Sequence, residues 1–360
     1  MVDDDSRPVP VDGHVATLPP RLSAVRILDR LEQLYAIGAG PGANRPHPSS
    51  AEDEAHQLAG GWMRDAGLAV EVDPSGNLLG RTGDRDDLWV GSHLDTVPEG
   101  GRFDGALGVV AGIEAVGRVG SGAVVVFRGE EVGCVGSRAL VARGESLPSA
   151  FLELHVEQGP VLAGAVVPLG VVTRIVGYVR GELVFEGRAG HAGTTPMVGR
   201  DDALVSAAEA VIRIRDVARG LPGVVATVGR LEVEPGGVNV IPGRARLTVD
   251  ARAPSGEQLD RLVAAIGFEP GERTDPIEMS EECRTALREE LESRAVQFVE
   301  LPSGAGHDAG ILAAAGVRAG MLFVRSLNGG VSHSPDELSS PEDIELATDV
   351  LTGALIRLAG

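Results

Sequence analysis

The chain has 360 residues, 43% of them apolar, which is enough for a core and suggests two domains. Its 32 basic and 52 acidic residues leave a net charge of −20, a field that repels phosphate backbones and anionic membrane surfaces and so argues against nucleic-acid and membrane partners. Every basic residue is arginine, which excludes Schiff-base chemistry, Ser–Lys hydrolysis and a Walker-type phosphate loop, each of which needs a lysine amine.

The opening Met-Val-Asp-Asp-Asp is acidic where a signal peptide is basic, and no apolar run reaches the roughly 18 residues of a membrane span. A soluble cytoplasmic protein is therefore expected. Helical spacing runs over Leu22–Tyr35 and Ala51–Ala66, the second capped by Ser49 or Ser50. Gly38–Gly42 has the glycines of a dinucleotide loop without a preceding strand, and reads as a turn. No Gly-x-Ser-x-Gly elbow occurs. Strand patterns at 69–72, 78–81, 88–91, 123–128 and 150–155 then alternate with helical patterns at 106–119 and near 137–142. That alternation predicts an α/β sheet with parallel members.

The texture changes between residues 177 and 275. A strand at 178–188, a helix at 202–218, strands at 224–233 and 244–251 and a helix at 256–266 make most of a ferredoxin-like α+β unit. It reads as a small domain inserted into a larger one formed by 1–176 and 276–360. The α/β pattern then resumes with a helix at 282–294, a helix after Asp308, a strand at 320–325 and a helix at 341–358. The two cysteines, Cys134 and Cys283, are too few for a disulfide framework.

Metal-type ligands follow the strand patterns of the larger domain. His93 and Asp95 end one, Glu130 and Glu131 another, and His155 a third; Asp104 sits in a glycine-rich turn before a helix, and His333 comes late in the chain. In an open α/β sheet, groups at the carboxyl ends of the strands share one rim. A lone His or Asp at a strand end is ordinarily structural; this many together make the ligand inventory of a two-metal hydrolytic centre. Adjacent side chains on extended backbone diverge, so one of Glu130 and Glu131 can bind metal while the other faces the attacking water. A metal lowers that water's pKa from about 15.7 toward about 7, and a free carboxylate takes its proton.

The motifs are long enough to carry a resemblance. Gly91-Ser-His-Leu-Asp-Thr-Val-Pro-Glu-Gly-Gly-Arg-Phe-Asp-Gly105, Glu130-Glu131, Leu154-His-Val-Glu-Gln-Gly-Pro-Val-Leu162, Gly190-His-Ala-Gly-Thr-Thr-Pro196, Gly236-Gly-Val-Asn-Val-Ile-Pro242, Ser303-Gly-Ala-Gly-His-Asp308 and Gly330-Val-Ser-His333 resemble the hydantoinase/carbamoylase family of two-metal amidohydrolases. That family lies within the aminoacylase and di-zinc exopeptidase group, and the likeness spans nearly the whole chain. It implies a mostly parallel, mixed sheet flanked by helices as catalytic domain, with an inserted lid and dimerisation domain. It implies one metal on His93 and His155, a second on Glu131 and His333, Asp104 bridging them, Glu130 as general base and Asp95 supporting His93.

The resemblance further implies that His191 stabilises an oxyanion, reaching into a neighbouring subunit's site, and that Gln158, Asn239 and Arg252 bind substrate, Arg252 through its carboxylate. His307 either lines the site or satisfies a local hydrogen bond. His155 followed by Glu-Gln-Gly-Pro points to the branch that cleaves ureido groups. The expected activity is hydrolysis of an N-carbamoyl-L-amino acid by a homodimer with two divalent ions per subunit (zinc, manganese, cobalt or nickel). Allantoate amidohydrolase is the alternative; an aminoacylase, a dipeptidase or a non-catalytic ureido-binding homologue fits less well. After the helix at 256–266 the chain passes quickly through Gly267–Asp275, where the family usually supplies another lid strand, so a trimmed lid is expected.

Overall fold

The fold comes from a computed structural model, which describes residues 24–144 and 147–360. The acidic opening and the start of the expected helix at Leu22 lie outside the described residues. In chain order the first half consists of α1 (Ala24–Tyr35), α2 (Ser50–Asp65), β1 (Ala69–Val72), β2 (Leu78–Arg81), β3 (Leu88–His93), α3 (Ala106–Val119), β4 (Ala123–Phe127), α4 (Val135–Arg143), β5 (Ala150–Val156), α5 (Val161–Ala165) and β6 (Leu169–Ile175). The middle contributes β7 (Gly177–Glu186), β8 (Gly190–His191), α6 (Ala203–Arg219), β9 (Val225–Glu234), β10 (Val240–Ile241), β11 (Arg244–Ala253), α7 (Gly256–Ile266) and β12 (Pro270–Thr274). The chain returns through β13 (Ile277–Glu278), α8 (Glu281–Ser293), β14 (Phe298–Ser303), α9 (Asp308–Ala314), β15 (Arg318–Val324) and α10 (Pro341–Ala359).

The large sheet has nine strands in the order β1-β2-β4-β3-β5-β15-β6-β13, with β14 also on β6. Its centre, β4-β3-β5-β15, is parallel, and the antiparallel pairings lie toward its margins. Its central strands are apolar runs because both faces are covered. Along them the period of two divides the core. Val90, Val124, Val126, Leu152 and Leu154 face one way, onto Leu107, Val110 and Ile113 of α3 and Ile344 and Leu351 of α10. Trp89, Val125, Phe127, Phe151 and Phe323 face the other way, onto Leu140 of α4, Leu162 of α5 and Leu312 of α9. Ser49 caps α2 by accepting from the Glu52 N–H at 3.2 Å.

The middle segment builds a second sheet, β12-β7-β11-β9, antiparallel throughout. Its strand order and two helices complete a ferredoxin-like unit. Alternate residues of β11, from Ala245 to Ala253, are buried and pack with Ala207 and Ile214 of α6 and Leu259 and Leu262 of α7 in a core of their own. Arg244, Arg246, Thr248, Asp250 and Arg252 line the other, partly exposed face.

The expectation of a trimmed lid needs correction: β12 supplies the strand, pairing with the open edge of β7. All five of its residues are exposed, so it has no apolar alternation to reveal it, and its Pro and Gly argue locally against a strand. Strands β6 and β14 were also not anticipated. Both cysteines are free and buried. No helix among the described residues is long and apolar enough to cross a membrane.

The centre of the sheet depends on backbone contact at Gly91, where an added Cβ would lie 1.9 Å from the Val125 carbonyl oxygen. Overpacking typically costs about 1–3 kcal/mol, and a rigid strand backbone leaves little room for relief. Gly91→Ala is therefore expected to destabilise the fold by at least about 3 kcal/mol, read as a lowered denaturation midpoint.

Candidate metal centre

The parallel strands β3, β4, β5 and β15 end on one rim, and each delivers a different part of the site. His93 is the last residue of β3 and pairs across the ladder with Phe127, the last of β4. His155 lies near the end of β5, opposite Phe323 of β15. Glu130 and Glu131 follow β4, and His333 lies in the loop between β15 and α10. Asp104 precedes α3 in a turn that closes on the rim. A Cβ at Gly105 (φ 64°) would sit 2.5 Å from the His93 ring, so only glycine lets the turn approach.

Asp104 is the common point. Its Oδ1 lies 3.2 Å from His155 Nε2 and 3.7 Å from His93 Nε2, while its Oδ2 lies 3.3 Å from His333 Nε2. His333 Nε2 is also 3.4 Å from Glu131 Oε2. Two ligand groups of metal-binding size result, His93–Asp104–His155 and Asp104–Glu131–His333, joined through one carboxylate.

The imidazoles are oriented for metal. His93 Nδ1 donates toward the Asp95 carbonyl oxygen at 3.1 Å, with Asp95 Oδ1 at 3.4 Å; His155 Nδ1 donates to the Val156 carbonyl oxygen at 2.9 Å. Anchoring Nδ1 leaves Nε2 with its lone pair toward the site. His93 Nε2, His155 Nε2 and Glu131 Oε1 are buried without a hydrogen-bond partner, an arrangement that is costly without a ligand. The residues present fit a pair of divalent cations.

Asp95 does more than orient His93: its two oxygens accept the backbone N–H groups of Glu130 at 3.0 Å and Glu131 at 3.1 Å. Glu130 Oε2 lies 3.8 Å from His93 Nε2. Burial, reinforced by the carboxylates of Asp308, Glu131 and Asp104, pushes Glu130 well above the usual carboxylate range despite His93. Burial works against ionisation of Asp104 too, but the nearby His155 and His333 imidazoles, with His93, outweigh it and hold Asp104 well below that range. The carboxylates thus diverge, Asp104 held toward its anion and Glu130 toward its protonated form.

Gln158 sits at the mouth, its Nε2 donating to Asp104 Oδ2 at 2.9 Å. His307 both lines the site and bonds locally. It is buried, its Nε2 lies 3.0 Å from Ser303 Oγ, its ring meets that of His155 edge-on at 4.5 Å, and its Nδ1 stands 4.0 Å from Glu130 Oε1. Three proposed residues are not brought to the cluster. The exposed His191 ring accepts from the Gly193 and Thr194 N–H groups at 3.1 and 3.2 Å. Asn239 adjoins β10, which pairs with β8, and its carbonyl accepts from the Ala192 N–H, so both belong to one small ribbon. Arg252 binds Asp250 at 3.0 Å and reaches from the inserted sheet to the Gly304 carbonyl oxygen at 2.7 Å, on the loop that carries His307.

Several buried groups around the site escaped the sequence reading. Glu153 accepts from Ser92 Oγ at 2.7 Å and the Ala309 N–H at 2.9 Å, and forms a further ligand-like group with His155 and His307. It stands two residues before His155 on β5, so strand periodicity placed it on the same face. Asp308, bonded to Ser137 Oγ at 2.6 Å, and Glu337 gave no periodic signal.

The chain belongs to the peptidase family M20/M25/M40, whose model matches residues 89–357. Among its relatives, the N-carbamoyl-L-amino acid amidohydrolase of Geobacillus stearothermophilus is 35% identical over 93% of this chain and 98% of its own length. The allantoate deiminase of Arabidopsis thaliana is 31% identical over 93% of this chain and 82% of its own. A hydantoinase/carbamoylase family amidase from Burkholderia multivorans superposes with a TM-score of 0.86 at 30% identity, covering 94% of this chain and 99% of that one.

Asp95 joins His93 to both glutamate N–H groups, and loss of such outer partners typically weakens metal binding by about 10–100-fold. Asp95→Asn, which keeps volume but turns one acceptor into a donor, is expected to do so with the fold intact. Metal content after dialysis against a chelator, beside a circular dichroism spectrum, checks this.

Proposed function

We propose that this protein is a metal-dependent amidohydrolase that removes the carbamoyl group of an N-carbamoyl-L-amino acid, giving the amino acid, carbon dioxide and ammonia. The observation that carries the reading is Asp104, whose two oxygens face separate ligand groups beside the raised-pKa Glu130. The relatives named for N-carbamoyl-L-amino acids support the substrate class.

Two divalent cations, held by His93, Asp104 and His155 and by Asp104, Glu131 and His333, would supply positive charge that acidifies a water and polarises the substrate carbonyl. His and carboxylate donors suit zinc, manganese, cobalt or nickel. Glu130 accepts the proton of the attacking water and returns it to the leaving nitrogen. Asp95 holds the Glu130 backbone while that proton moves. The released carbamate breaks down to carbon dioxide and ammonia. Arg252 offers a planar fork for the substrate carboxylate, Gln158 and Asn239 hydrogen-bond the ureido group, and His307 closes the inner wall.

His191 stabilises the developing oxyanion. Because its hydrogen bonds are local to its own loop, we assign it to the site of a second subunit in a homodimer formed through the inserted lid domain.

Glu130→Gln is expected to lower kcat by about 10²–10⁴-fold with metal content unchanged. The deciding assay is ammonia release by the metal-loaded protein from N-carbamoyl L- and D-amino acids, allantoate and N-acetyl controls. Turnover is expected with the carbamoyl L-series; release from allantoate alone would transfer the assignment to allantoate amidohydrolase.

Delivery of His191 between subunits makes a separate prediction. His191→Ala and Glu130→Gln proteins, each nearly inactive, are expected on mixing and subunit exchange to regain about a quarter of wild-type activity, the share of intact sites under random two-fold pairing. No recovery in exchanged dimers would place His191 outside the partner's site.

A further inference from the structure

We propose that Glu337 is a positioning residue that locks the bridging carboxylate Asp104 and the loop of His333 into one geometry, and so governs how tightly the cation between Asp104, Glu131 and His333 is held. This rests on the two-cation reading of the site. The ligands His93 and His155 belong to strands and inherit the rigidity of the sheet. Asp104 and His333 do not. Asp104 lies in the turn before α3, and His333 lies in a loop at φ 53°, its side chain half exposed. Something must hold these two segments together, since they are far apart in sequence.

Glu337 spans them. Its side chain is buried, 3% exposed, with no arginine bound to it among the described ion pairs. One oxygen accepts the backbone N–H groups of Phe103 at 2.6 Å and Asp104 at 3.1 Å. The other accepts the hydroxyl of Ser332, the residue before His333, at 2.7 Å. Within its own loop, the Glu337 N–H bonds the Ser334 carbonyl and the Leu338 carbonyl accepts from Leu327, closing the segment around His333. A buried carboxylate is tolerated only when donors compensate it, and here those donors come from the segments that carry Asp104 and His333. Gly101 completes the fit: a Cβ there would lie 2.3 Å from the Glu337 carboxyl carbon.

The test uses full-length protein loaded with zinc and titrated with a chromophoric zinc chelator, beside thermal melts of metal-free protein. Glu337→Ala is expected to release one of its two zinc ions about 10–100-fold more readily than wild type, the usual scale for such outer partners, while the other ion is little changed. Glu337→Gln, which keeps an acceptor for the two N–H groups, is expected to lose less. Gly101→Ala displaces the carboxylate without removing it and is expected to copy the alanine variant, so the outcome stays decidable if Glu337→Ala does not fold. Unchanged zinc release in Gly101→Ala and Glu337→Gln, or a lowered metal-free melting temperature with unchanged zinc affinity, overturns the proposal. Wild-type protein that takes up fewer than two zinc ions overturns the two-cation reading itself.

Discussion

A carboxylate shared between two ligand groups sets the terms for everything around it. Asp104 is 3% exposed and has three imidazole nitrogens within 3.7 Å. Gln158 donates to one of its oxygens, but a buried charge with so many imidazoles around it calls for positive charge nearby as well. Protons on His155 and His333 can meet that need, and so can a pair of cations with the imidazoles neutral. The second arrangement also occupies the orphaned nitrogens of His93 and His155 and the free oxygen of Glu131. One carboxylate thus joins the two ligand groups that the imidazoles and Glu131 complete.

The sheet holds this constellation because its central strands are parallel. Their carboxyl ends converge on one rim, and residues distant in sequence arrive there without long excursions of chain. Close approach is then a matter of missing side chains. Gly105 admits the Asp104 turn against the His93 ring, and a Cβ at Gly108 would lie 2.3 Å from the Leu154 carbonyl oxygen beneath His155. The same closeness explains why buried carboxylates accumulate around the site. Glu153, Asp308 and Glu337 each bind main-chain or hydroxyl donors from neighbouring segments, and so fix loops whose packing area is small.

The sequence made the rim legible because its ligands obey a local rule, a polar residue ending an apolar strand. His93, Glu130, Glu131 and His155 announce themselves in that way, and the structure brings them together with Asp104 and His333. The two faces of the core were not legible, because β3 and β4 are buried on both sides and their apolar runs do not alternate. Glu337 was not legible. Its bond to Asp104 spans 233 residues and leaves no periodic trace. β12 escaped because an edge strand exposed along its length lacks the apolar alternation that marks buried strands, and its partner β7 lies about 90 residues upstream.

The division between rim and lid carries a consequence for chemistry. Groups that hold charge through the reaction sit on strands or are tied to them by buried hydrogen bonds. Three of the groups proposed to act on substrate, His191, Asn239 and Arg252, sit on the inserted α+β unit, while Gln158 stays at the rim. The inserted unit has its own core and is joined to the larger sheet by two crossings, at Val176 and at Asp275–Pro276, where a Cβ on Gly177 would meet Pro276 at 2.6 Å. Arg252 is the one of the three whose hydrogen bonds cross that boundary, reaching the Gly304 carbonyl on the loop that carries His307. Arg252 shares its guanidinium between Asp250 and that carbonyl, so a single side chain ties the inserted sheet to the loop whose His307 stands 4.0 Å from Glu130.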